Sequence, residues 1–206
     1  MKRGERRPLR RAVAVVVPAV VLAGVIVAGC GQRSGGGAST DMNMQEAAER
    51  ADGMLDETLK AVVPEVQWAH ETWTSGSCTV TRRRTVTTVI SEQRRGNFLG
   101  VIERSWKKSG YEITGVNRNQ EMPSIFARSP EGFQFDLTVG HQGQAFFDVT
   151  TPCAGKSDVA EPVTAPNGPR YAYGKIPTPH VHSDFWSATT PVPPSPSVPS
   201  PARPSS

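Results

Sequence analysis

Apolar residues recur at helical spacing from Met44 onward, with Ala47, Ala51, Met54, Leu55, Leu59 and Val62 falling on one face. Asp41 stands where a cap would, and Pro64 ends the run, so a first amphipathic helix is predicted. Over residues 66–90 the composition turns to Thr, Val and Trp, and "TSGS" at 74–77 reads as a turn between two strands of a hairpin. A second helix follows. Phe98, Leu99, Ile102 and Trp106 share a face, Arg104, Lys107 and Lys108 lie elsewhere, and Gly110 supplies the stop. Beyond it come segments 111–117, 124–128, 133–139 and 144–151. The connections "SPEG" and "GHQGQ" are turn chemistry, so the last three segments read as an antiparallel meander. Phe133, Phe135, Leu137 and Val139 alternate with Gln134, Asp136 and Thr138, the pattern of a strand with one face buried. The expected fold is α+β: two helices on an antiparallel sheet of about five strands, in the order α-β-β-α-β-β-β.

Residues 44–153 are enough for one two-layer domain. After Cys153 the apolar period fades. Residues 154–186 still contain "YAYGKIPTPHVHSDFW", too apolar for a free linker, and are expected to fold back on the domain as an irregular segment. Residues 187–206, "SATTPVPPSPSVPSPARPSS", cannot bury a core and are expected to be disordered or polyproline-like.

The chain opens with Lys2, Arg3, Arg6, Arg7, Arg10 and Arg11 against Glu5 alone, and residues 12–29 then carry no charge. A run of eighteen residues lies between a secretory signal and a membrane span in length. Its exit distinguishes them: Val27-Ala28-Gly29-Cys30 resembles the bacterial lipobox, so residues 1–29 read as a lipoprotein signal peptide. The Cys30 thiol would then take a diacylglyceryl group and become the first mature residue. Two acyl chains suffice for stable anchoring, at about 0.8 kcal/mol per buried CH₂. The expected place is the outer face of the cytoplasmic membrane, with residues 30–43, Gly- and Ser-rich, as a tether reaching roughly 15–20 Å. Arg6-Arg7 followed by Pro8 leaves the export route open.

The formal net charge of +4 is carried by that signal, which contributes +5 and leaves the rest of the chain near −1. No electrostatic case for nucleic acid survives. With Cys30 committed to lipid, Cys78 and Cys153 remain as an even pair in an oxidising compartment, each at a strand end, and are expected to form a disulfide. That bond would set the first hairpin beside the last strand.

Candidate chemistry is sparse. Ser105 and Lys108 match S-x-x-K, and Lys108-Ser109-Gly110 resembles K-[ST]-G, but the two share one helix end instead of converging from separate elements. His180, His182 and Asp184 stand close enough to invite a metal, with His70 or His141 as further ligands, or are simply solvated. Arg82-Arg83-Arg84 and Arg94-Arg95 could meet anionic headgroups or wall polymers. On a strand, however, Arg83 opposes its neighbours, and a solvated edge strand guarded by charge is expected. Trp68, Trp73 and Trp106 fit core positions better than a ligand groove. H-E-x-x-H, G-x-S-x-G, G-x-G-x-x-G and C-x-x-C are absent from the sequence, and no cofactor is implied. The reading is a non-enzymatic binding or scaffolding module. Its partners would be the membrane, through lipid on Cys30, and an envelope protein or wall polymer. The alternative is a small envelope hydrolase using His180, His182 and Asp184. A solute-binding lipoprotein would need two lobes around a cleft.

Taken together, the lipobox, "HETWTSGSCTVTRRR", "RRGNFLGVIERSWKKSGY", "SIFARSPEGFQFDLTVG", "FFDVTTPC" and "HSDFW" resemble a family of uncharacterised small lipoproteins of Streptomyces-type actinomycetes. The resemblance implies envelope anchoring and pairing of the two remaining cysteines. It implies no activity and no functional residues.

Overall fold

The computed structural model describes residues 42–75, 77–172 and 175–191. The signal segment, Cys30 and its tether up to residue 41, the expected cap Asp41, and the tail from residue 192 lie outside the described residues.

Helix α1 spans Met44–Lys60 and begins two residues later than a cap at Asp41 would place it. Asn43 is the cap: its Oδ1 accepts the Glu46 N–H at 3.0 Å, and the Glu46 carboxylate accepts the Asn43 N–H at 2.9 Å. This reciprocal pair satisfies two of the first turn's otherwise unpartnered donors. Strands β1 (Trp68–Ser75) and β2 (Thr79–Val86) form the expected hairpin. Helix α2 (Glu92–Lys108) crosses to β3 (Glu112–Asn117), β4 (Ser124–Arg128), β5 (Gln134–Val139) and β6 (Ala145–Thr150). Gly110, at φ +79°, ends α2 in the left-handed conformation that glycine adopts without steric cost.

The sheet has six strands, all antiparallel, in the order β1-β2-β6-β5-β4-β3. The expectation of about five strands is thus one short, because residues 112–117 join the meander as its fourth strand. In β5 the expected alternation holds, with Phe135, Leu137 and Val139 facing the core. Both helices pack on one face, α1 over β2 and β6 and α2 over β3 and β4. Leu55, Phe98, Ile102, Trp106, Ile125, Leu137, Phe147 and Val149 fill the space between. On the opposite face Glu71, Arg83, Asp148, Asp136 and Phe126 stand in one cross-strand row.

Cys78 and Cys153 are joined by a disulfide, with Cα atoms 4.8 Å apart. The bond sits where β2 pairs with β6, so the hairpin and the last strand lie side by side. The fold does not stop at Cys153. Gly155 exchanges backbone hydrogen bonds with Met42 and Met44, and Thr88 bridges Val181. Trp186 is buried in the main core, with its indole N–H donating to the Pro64 carbonyl at 2.6 Å. Ser91 opens α2 without a side-chain cap. Its N–H donates to the Trp186 carbonyl at 2.9 Å and its hydroxyl to the Ala188 carbonyl at 2.6 Å. The folded unit therefore takes in Met42 and Asn43, assigned above to the tether. It also takes in Ser187 and Ala188, assigned above to the tail.

Candidate functional site

The residues singled out for chemistry do not converge. Cys30 lies outside the described residues. His180, His182, Asp184 and His141 are all exposed, and among the described residues no group of three His, Cys, Asp or Glu side chains is placed to hold a metal ion. Lys108 is exposed at the end of α2, on the same helix as Ser105. Trp68 and Trp106 are buried, as their spacing suggests, and the indole N–H of Trp106 donates to Thr58 Oγ1 at 3.0 Å. The side chain of Trp73 lies outside the described residues.

The arginine run is the main correction. Strand β2 is not an edge, because β6 pairs with it, so the solvated edge strand expected there does not exist. The alternation is as expected: Arg83 points to the open face, where its guanidinium grips Asp148 through two hydrogen bonds of 2.6 Å. Arg82 and Arg84 point the other way, under α1, at 1% and 0% exposure. No headgroup or wall polymer reaches them. Arg94 is likewise buried, its Nε donating to the Phe185 carbonyl at 2.8 Å and its guanidinium stacked over the Phe185 ring.

Two cations placed beneath a helix need partners, since an isolated buried charge costs several kcal/mol. Helix α1 supplies them one turn apart. Asp52 accepts from Arg84 Nη1 at 3.0 Å and lies 3.1 Å from Arg82 Nε, and Asp56 accepts from Arg84 Nη2 at 3.2 Å. Arg82 also donates to the Ala160 carbonyl at 2.6 Å. His70 completes the cluster: Arg84 Nη1 donates to its Nδ1 at 2.5 Å, which leaves Nε2 to donate to the Thr164 carbonyl at 2.7 Å. That is the neutral ring. Burial, reinforced by the Arg84 charge, pulls the His70 pKa from 6.5 down to about 4. Burial raises the Asp52 carboxyl above its ordinary range, with Arg84 and Arg82 opposing it. The sequence carried a signal for this cluster. Asp52 and Asp56 are four residues apart beside the buried Ala51 and Leu55, a position where a carboxylate needs a cation.

The surface feature best suited to binding lies at the other end of the sheet. A groove of about 820 Å³ runs between α2 and the β3–β4 hairpin, its floor formed by Leu99, Ile125 and Val116. Gly96 and Gly100 keep the helix wall low, and a Cβ at Gly96 would meet nothing within 4 Å. From Glu92 to Glu103 the wall is roughly 17 Å long at 1.5 Å per residue. The facing loop is held in shape by its own asparagines: Asn119 Oδ1 accepts the N–H groups of Glu121 and Met122, and Asn117 Nδ2 donates to the Met122 carbonyl. Arg95 ties the two walls together by donating to the Gln120 carbonyl at 2.9 Å. Glu92, Glu121 and Glu103, the last paired with Lys107 at 2.6 Å, rim the groove, against Arg118 and the engaged Arg95.

No family model matches this chain, and no curated protein matches it by sequence. Among solved structures, a DUF4853 family protein from Actinomyces odontolyticus is similar at 11% identity and a TM-score of 0.33, over 68% of this chain and 78% of that one. A likeness of that degree carries no argument here.

Proposed function

We propose that this chain is an extracytoplasmic lipoprotein, held by lipid on Cys30 to the outer face of the cytoplasmic membrane, whose domain is a non-enzymatic binding module. In this reading it is a member of the small actinomycete lipoprotein family that it resembles. The Cys78–Cys153 disulfide supports an oxidising compartment, since such bonds persist outside the cytosol. Among the described residues no helix is long and apolar enough to cross a membrane, and the proposed anchor is the lipid.

The observation that carries the binding role is the α2–hairpin groove: an apolar floor, preorganised walls and a rim richer in carboxylates than in free guanidinium groups. That combination suits a polypeptide segment of a neighbouring envelope protein, with an apolar anchor on the floor and a basic flank against Glu92 and Glu121. It does not suit an anionic wall polymer, which Glu92 and Glu121 would repel and which Arg82, Arg84 and Arg94 are buried too deeply to hold. The hydrolase reading gains no support, because His180, His182 and Asp184 face solvent.

A photo-crosslinking residue at Gln93 of the full chain in its own membranes tests this reading. The expected result is a discrete polypeptide adduct that Gly96→Trp, which fills the groove, abolishes. No adduct, an adduct to glycan, or one indifferent to Gly96→Trp would overturn the groove as the binding site.

A further inference from the structure

Residues 160–171 run from the helix-bearing side of β1 round to its free edge as a strap, held at a few points. Ala160 accepts from Arg82 and donates to Gln45 Oε1, while Asn167 is held twice, its carbonyl accepting the Trp68 N–H at 2.9 Å and its side-chain amide donating to the Val66 carbonyl at 2.9 Å. Between these, Thr164 is fixed twice, its carbonyl accepting from His70 Nε2 and its hydroxyl donating to Asp56 Oδ2 at 2.7 Å. The ring of His70 is thus a spacer between Arg84 and the strap. Under the strap lies a cavity of about 280 Å³ lined by His70, Glu71, Glu161, Pro162, Arg170 and Tyr171, which gives protons a way to the ring.

A proton on Nδ1 would set a second donor and a second positive charge against Arg84 at the 2.5 Å contact. Arg84 cannot withdraw, because it is fully buried and held by both Asp52 and Asp56. The carboxylates that face the ring from α1 are therefore already engaged by Arg84. Arg170 on the strap adds a further positive charge, and the cavity's own carboxylates are Glu71 and Glu161. The movable partner is the imidazole, which can swing into the cavity and take the Thr164 contact with it.

We propose that residues 160–171 form an acid-released strap, in which protonation of His70 against the immobile Arg84 frees the segment held at Thr164 and uncovers the Trp68 end of β1, the edge strand of the sheet. An uncovered edge presents free backbone donors and acceptors to a partner strand. The inference concerns the opposite end of the sheet from the α2 groove and does not depend on what that groove binds.

Hydrogen–deuterium exchange on the full chain in detergent tests it, at pH 7 and pH 5, with rates corrected for intrinsic exchange. A pKa of 6.5 in the open state against about 4 in the closed state predicts about a twentyfold rise in strap opening between the two pH values. The Trp68 amide, which donates to Asn167 of the strap, should lose protection, while those of α2 and β5 keep theirs. His70→Gln, or His70→Asn should the first not fold, keeps an acceptor and a donor without taking up a proton and should be flat across the same range. Equal Trp68 protection at both pH values, a loss shared equally by α2 and β5, or a loss that persists in the variant would overturn the proposal.

Discussion

Asp52→Asn should be among the most damaging single-atom changes available in this protein. The substitution keeps the shape of the side chain and removes the charge that serves two buried guanidinium groups, at 3.0 Å from Arg84 and 3.1 Å from Arg82. Arg84 keeps Asp56 and Arg82 keeps the Ala160 carbonyl, but the cluster is left with one carboxylate for two cations, and the new amide turns a donor toward donors. Breaking a buried ion pair from one side costs about 3–5 kcal/mol. That is a large share of the roughly 5–15 kcal/mol that holds a domain together. The midpoint of thermal unfolding should fall by about 10 °C or more for a unit of this size. Urea denaturation at pH 7, followed by circular dichroism, reads the loss directly: the midpoint drops and the slope stays constant. A companion variant separates charge from packing, since replacing Asp52, Arg82 and Arg84 together with apolar residues of similar volume should recover most of the loss. If Asp52→Asn lies within about 1 kcal/mol of the unaltered protein, the cluster is solvated and the burial argument fails.

Loss of the disulfide by Cys153→Ser should cost about 4 kcal/mol on chain-entropy grounds, given the sequence separation of 75, and is read by the same denaturation curves. Trp186→Ala should cost about 3–5 kcal/mol by opening a hole among Phe98, Phe185 and the α2 core. Truncation after Ala188 should leave the melting temperature unchanged, whereas truncation before Ser183 should lower it as much as Trp186→Ala does. Gly143→Ala should destabilise by more than about 1 kcal/mol in urea, because φ is +77° and the added Cβ would sit 2.2 Å from the Ile90 carbonyl oxygen.

What was legible in the chain is what depends on local period. The apolar stripes of α1 and α2 and the alternation of β5 follow from side-chain direction alone, and the same rule correctly turned Arg83 away from Arg82 and Arg84. Which side of β2 was wet did not follow. That depends on β6 arriving as a second neighbour, with Arg83 and Asp148 brought together from 65 positions apart. The carboxylates that neutralise the arginines come from a helix that precedes the hairpin in sequence, 28 and 32 positions from Arg84, so no local window contains both partners. Trp186 was readable as too apolar for a linker. Its partner Pro64, at the far end of the domain in sequence, was not. The groove was not legible because Gly96 and Gly100 act by leaving space, and a missing side chain adds nothing to the apolar period of α2.

The lipid anchor remains the claim on which the functional reading stands. Intact-mass analysis of the chain purified from its own membranes, with the mature N-terminus sequenced by fragmentation, tests it most directly. The expected chain begins at Cys30 and carries a diacylglyceryl adduct on its sulfur, with both lost in Cys30→Ala. A mature chain that begins at any other residue, or one that begins at Cys30 without lipid, would contradict it.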